Sequence, residues 1–304
     1  MSLIVTGSIG IDTVITPVGR AENVLGGSCV YFSAAASFFT PVRLVAAVGE
    51  DFPDQNMGVF EHFDIDTAGL ERRAGAKTFR WTGEYQQNMN DRETLAVELN
   101  VLGEQLPPVP EAFKDSKFIF LANTHPSAQL ALLEQFPNAE LVVADTMDLW
   151  INTAADELMA LLKKIDGLVL NDSEALLLTG EANMVIASQK IIEMGPKFVV
   201  IKKGEHGCLL NHTDGVAVLH AYPSGNVVDP TGAGDSFAGG MMGYLASDQV
   251  SDHLDLGAIK RALAYGTIVA SYNIESFTLD RLREITREDI DRRMAEYADI
   301  IRFD

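Results

Sequence analysis

Asp235 is the residue in this sequence best placed to do chemistry. It closes the stretch Val228-Asp229-Pro230-Thr231-Gly232-Ala233-Gly234-Asp235, and Ser-Phe-Ala-Gly-Gly follows. Pro230 stiffens the entry, while Gly232 and Gly234 permit positive φ or close backbone approach. A helix starting here presents unpaired N–H donors and about half a positive elementary charge, which attract phosphate oxygens. An ionised carboxylate in that first turn can take the proton of a hydroxyl that attacks a phosphoryl group. A capped helix with a glycine turn explains the same residues locally.

Three further places carry candidate chemistry. Asn171-Asp-Ser-Glu174 puts an amide and a carboxylate one turn apart after an apolar strand. Both can face the water shell of a Mg²⁺, which uses few protein carboxylates. They equally form an Asn helix cap with a first-turn acid. Lys202 and Lys203 end another strand before Gly204, a turn open enough to admit a nucleotide, or an ordinary β-turn with solvated lysines. Asp12 and Gly26-Gly27-Ser28 precede an alanine-rich helix, where a carboxylate and bare backbone can meet polyol hydroxyls.

The elements that must hold these residues read as an α/β pattern. Short β-branched runs at 3–8, 43–49, 117–122, 140–146, 167–171 and 197–203 alternate with amphipathic helical stretches such as 126–136 and 154–164. Continuous apolar strands separated by helices predict a mostly parallel sheet covered on both faces. Residues 13–26 and 77–100 break the rhythm with turn-rich and polar-faced strand patterns, the second kinked at Gly83. We read one core domain over 1–304 with a strand-built flap drawn from these two segments, an ordinary edge hairpin being the alternative that the pattern leaves open. Such flaps close over ligands and exclude water. Long helical patterns end the chain, from Gly234 to about 247, over 256–272 and over 287–300, the last capped by Thr286 with Asp289 as its partner.

Bulk properties exclude several classes. The 304 residues carry a net charge of −20, which repels nucleic acid. Cys29 and Cys208 are the only cysteines and have no metal-ligand spacing, so a reducing, cytoplasmic setting fits best. No apolar run spans a bilayer, and the opening residues do not form a signal peptide. No P-loop occurs, and Gly7 and Gly10 do not complete a dinucleotide fingerprint, which makes a nicotinamide oxidoreductase a poor reading.

In their order and spacing the pieces resemble the ribokinase family, the PfkB carbohydrate kinases. The resemblance rests on "DPTGAGDSFAGG", supported by "GSIGID", "GGS", "AVGEDFPDQ", "NDSE" and "KKGEHG", and covers nearly the whole chain. It implies a three-layer αβα sandwich with a β lid, and an ATP-dependent kinase that phosphorylates a hydroxymethyl group of a sugar. Carried over, Asp235 is the base, and Gly232, Ala233 and Gly234 form the anion hole. Asn171 and Glu174 organise Mg²⁺ mainly through water, and Lys202 and Gly204 border the ATP. Asn273 falls at the adenine pocket, and Asp12 and Gly27 at the sugar site. The resemblance also allows a monovalent-cation requirement and a homodimer through the lid.

One departure bears on the acceptor. Four positions beyond Gly27, where many members of that family carry an asparagine that contacts the sugar, this chain has Tyr31. With Phe79, Trp81 and Tyr85 in the flap, Tyr31 makes a nucleoside kinase the alternative. A non-catalytic sugar or nucleotide sensor is a further alternative, and Asp235 argues against it.

Overall fold

The computed structural model describes residues 2–302. Among the described residues thirteen strands form two sheets. They are β1 Leu3–Thr6, β2 Gly10–Thr16, β3 Gly19–Gly26, β4 Val42–Gly49, β5 Asp66–Arg73, β6 Phe79–Tyr85, β7 Arg92–Glu98, β8 Phe118–Leu121, β9 Leu141–Asp145, β10 Gly167–Asn171, β11 Phe198–Lys202, β12 Cys208–His212 and β13 Gly215–Leu219. The nine-stranded sheet runs β13-β12-β11-β10-β9-β8-β1-β4-β5, parallel from β11 through β5, with β12 and β13 antiparallel at one end.

Period-2 alternation sends successive residues of each central strand to opposite faces. Leu3, Val5, Phe118, Phe120, Val169 and Val200 pack one core with helices Ser28–Ser37, Ala233–Leu245 and Leu256–Asn273. Ile4, Ile119, Leu121, Leu168, Leu170 and Ile201 pack the other core with helices Ala155–Leu162 and Met184–Glu193. The fold is the αβα sandwich that the sequence implied. Both faces of these strands are apolar because both are covered.

Helix Ala233–Leu245 is squeezed between two neighbours, which accounts for its small residues. A Cβ on Gly239 would lie 2.3 Å from the Phe32 carbonyl oxygen, and one on Gly240 would lie 3.0 Å from Gly266 Cα. Overpacking of that kind is costly, so glycine sets how deeply this helix seats. The last helix, Arg287–Ile301, carries the anticipated Thr286–Asp289 capping box.

The second sheet, β3-β2-β6-β7, joins the two segments read as a flap. It begins at Gly10 rather than at residue 13, so Asp12 is itself a lid residue. Gly83 sits at a register shift between β6 and β7, the kink expected from sequence. β7 is exposed along all seven residues and leaves an open sheet edge. No helix among the described residues is long and apolar enough to cross a membrane.

Candidate active site

Because the central strands run parallel, their C-terminal ends share one edge, where open α/β sheets bind ligands. Asn171 and Lys202 end β10 and β11 as direct register partners. Asp145 ends β9 on the same edge. Helix Ala233–Leu245 points its start at this edge and brings Lys202 and Gly234 together. A Cβ on Gly234 would stand 2.8 Å from Lys202 Nζ, so the ammonium lies against the helix start.

The loop before that helix is held on every side. Gly232 takes a φ of 73° and caps the helix. Asp229 accepts the Thr231 N–H at 2.8 Å and the Thr278 N–H at 3.3 Å. The Ala233 N–H donates to the Pro230 carbonyl at 3.1 Å, so this member of the expected anion hole is occupied by the turn itself. Among the described residues no hydrogen bond uses the N–H of Gly232 or Gly234, which leaves both donors available to an anion.

Asn273 lies beneath this loop. It is buried, its Nδ2 donates to the Thr231 carbonyl at 2.8 Å, and its Oδ1 accepts from the Ser236 hydroxyl at 3.2 Å. An amide spent on both sides inside the protein braces the loop, at the position that the sequence assigned to the adenine pocket. Tyr31 is likewise part of the loop's support. It is 2% exposed, and its ring lies 2.2–2.5 Å from where a Gly232 Cβ would be.

Asp235 is half-buried in the first helical turn. Burial raises its pKa above the ordinary carboxyl value of 3.8, while Lys202 and then Arg92 favour the ionised form. Asp145 is a site residue that motif reading passed over. It is 7% exposed, its Oδ1 is buried with no hydrogen-bond partner, and burial and the Asp235 charge hold its pKa well up against Lys202. The signal was an acid at the C-terminal end of an apolar strand.

Asn171 and Glu174 form a capping box, each side chain accepting the other's backbone N–H at 2.7 Å. The cap occupies Asn171 Oδ1 and one Glu174 oxygen. Among the described residues no three His, Cys, Asp or Glu side chains form a direct metal cage. Sparse carboxylates suit Mg²⁺ carried by nucleotide phosphates and its own waters, with the free oxygens of Glu174 and Asp145 as acceptors for such waters. Gly204, at φ 54°, faces the lid, since a Cβ there would come 2.6 Å from Asn90 Oδ1.

The residues that the sequence assigned to the acceptor lie where the first strand meets the first helix. Ser8 and Ser28 bond reciprocally, each backbone N–H to the other's hydroxyl at 3.0–3.1 Å. Gly27, at φ 104°, packs so tightly that a Cβ would sit 2.5 Å from the Ser8 carbonyl oxygen. Asp12 fills the space beside Gly26, its Oδ1 buried with no partner. Burial first, then Asp229 and Asp235, lift its pKa to about 7. A buried acceptor of this kind awaits a donor, and ligand hydroxyls supply one.

A cradle for a phosphate, a carboxylate in the first turn beside it and a buried acceptor across the cleft define a phosphoryl-transfer enzyme that acts on an alcohol. The model of the pfkB family carbohydrate kinases matches residues 9–280, and the chain belongs to that family. A cytidine kinase of Thermococcus kodakarensis is 29% identical over 266 residues, covering 84% of this chain and 93% of the relative. Among solved structures, a Burkholderia thailandensis nucleoside kinase in complex with inosine superposes with a TM-score of 0.78 at 17% identity, covering 97% of this chain and 98% of the other. A putative ribokinase II from E. coli, in complex with ATP and Mg²⁺, gives 0.76 at 18% identity, covering 97% and 99%. These two likenesses show the ribokinase fold. The protein is a kinase of the sugar and nucleoside type.

Proposed function

We propose that this kinase transfers the γ-phosphoryl group of ATP to the hydroxymethyl group of a nucleoside's ribose. The observation that carries this reading is the inner face of the lid. Phe79, Trp81 and Tyr85 alternate along β6, and Trp81 is the direct register partner of Asp12 on β2. Parallel register partners point to the same side, so an indole borders the carboxylate that meets the ribose hydroxyls. The Trp81 ring lies across Gly83, where a Cβ would come within 2.0 Å of it. Such an aromatic surface offers a base a stacking platform, and the similarity to a cytidine kinase supports the same reading.

Asp235 takes the acceptor proton, while the N–H groups of Gly232 and Gly234 and Lys202 offset the charge on the transferred group. Asp12 holds the ribose hydroxyls above the Gly26–Gly27 backbone. A free sugar is the second reading, favoured by the same Asp12 site without use of the aromatic face. The open edge of β7, with Leu95 48% and Val97 51% exposed, is the surface we assign to a homodimer.

The test is ADP release from ATP and Mg²⁺ with cytidine, uridine, adenosine, inosine, ribose and fructose, repeated with K⁺ exchanged for a larger cation. Turnover of nucleosides above free sugars is expected. Turnover of free sugars alone would overturn the nucleoside assignment.

A further inference from the structure

The tip of the lid reaches the phosphoryl-transfer edge at two points. The Thr231 hydroxyl donates to Tyr85 Oη at 3.4 Å, beside the anion cradle. Asn90 stands against Gly204, beside the nucleotide loop. Arg92 opens β7 directly opposite Tyr85 in the β6–β7 register, between these two contacts. Its guanidinium carbon lies 5.4 Å from the centroid of the Trp81 ring, so the side chain lies along the lid's inner face.

Arg92 is unusual for its surroundings. The chain carries a net charge of −20, yet no carboxylate forms an ion pair with Arg92 among the described residues. Arg80, on the neighbouring lid strand, is tied to Asp51 at 3.0 Å. Asp235, in the first turn of helix Ala233–Leu245, is favoured in its ionised form by Lys202 and then by Arg92. A cation without an ion pair, opposite the tyrosine that meets Thr231 of the anion cradle, is placed for an anion that arrives with the substrate.

We propose that Arg92 is a lid-borne catalytic residue whose guanidinium donates to the non-bridging oxygens of the phosphoryl group in transit. In the step, the acceptor oxygen forms a bond to Pγ while the bond from Pγ to the β-phosphate oxygen breaks. The acceptor proton passes to Asp235, and ADP leaves. Charge on the transferred group is then bracketed by Lys202 and the helix start from the core side and by Arg92 from the lid side. The planar fork of arginine matches two phosphoryl oxygens at once, which lysine does not. The inference rests on the kinase chemistry and holds for whichever acceptor the wild type turns over.

The experiment compares Arg92→Ala and Arg92→Lys with the wild type, using Mg-ATP and an acceptor that the wild type phosphorylates. Supplied arginines of this kind contribute about 10³-fold or more, so kcat of Arg92→Ala should fall by at least ~10²-fold with the acceptor KM within about threefold. Added guanidinium ion should restore part of that rate, and Arg92→Lys should recover only a fraction of it. The acid limb of kcat/KM should move to higher pH in Arg92→Ala, because a cation that favours ionised Asp235 is gone. A kcat of Arg92→Ala within about threefold of wild type, or a loss confined to the acceptor KM, would overturn the proposal. Arg92 is exposed at a sheet edge, and matching thermal midpoints establish that each variant folds.

Discussion

Tyr31 lies flat beneath Gly232, its ring occupying the space that any side chain at position 232 would need. The aromatic residue and the glycine are therefore one device. The ring sets the height of the anion-binding loop, and the glycine supplies the φ of 73° that turns the chain into the helix.

Replacing Gly232 by alanine should therefore cost twice. A non-glycine residue in the left-handed region loses about 1–2 kcal/mol, and the collision with Tyr31 adds roughly 1–3 kcal/mol. We expect a lowered thermal midpoint together with a drop in kcat of at least ~10²-fold, since the donors that meet developing charge are displaced. An alanine variant with wild-type melting and turnover would show that the loop yields without cost.

Asp235→Asn should lower kcat by roughly 10²–10⁴-fold with ATP affinity retained, as removal of a general base does. With Asp235 in the proposed role of base, activity requires the ionised carboxylate. Its pKa is raised by burial, so kcat/KM should fall as pH drops through a value above the ordinary 3.8. The pH profile of kcat/KM and nucleotide titrations of the variant check both statements.

Asp12 links the acceptor site to stability. Its carboxyl titrates near 7 when folded and near 3.8 when unfolded, so between those values the folded state binds the extra proton. Stability from this group is fully present below about 3.8 and is lost as pH rises through about 7, by up to ~4 kcal/mol. Asp12→Asn should thus melt at a higher temperature than wild type at pH 8 and by a clearly smaller margin at pH 5, where part of the loss has already occurred, while the acceptor KM rises steeply. Scanning calorimetry at the two pH values decides the first point, and an unchanged difference between them would contradict the linkage.

Asn273→Ala removes both bonds that brace Thr231 and Ser236. Leaving those buried groups unpaired costs about 1–3 kcal/mol. The loop it steadies is the one proposed to meet the transferred phosphoryl group, so kcat should fall while the ATP KM stays near wild type. An ATP KM that rises with kcat unchanged would return Asn273 to the adenine pocket.

Much of this was legible in the residues themselves. Apolar strands such as Leu3–Thr6 and Phe118–Leu121 have no polar face, so the sequence alone requires a sheet covered on both sides. The glycines and acid of 232–235 suit a capped helix as well as an anion-holding helix start, and only the order of motifs along the whole chain favours the second. Thr286 and Asp289, spaced for a capping box, announce their helix without tertiary help.

What only the tertiary structure decided were relations between residues distant along the chain. Nothing local distinguishes Asn273 as a brace under Thr231 from Asn273 as a wall of a pocket, since the choice depends on which element lies within 3 Å. Asp12 became a lid residue because β2 pairs with β6, a contact across 69 positions at Gly10 and Phe79. Asp145 and Arg92 carried no motif at all. Their charges acquire meaning from a parallel sheet that aligns strand ends and a hairpin that folds back over them. Sequence patterning records which face of an element is buried. It does not record which buried faces meet, because that is settled by the packing of the whole chain.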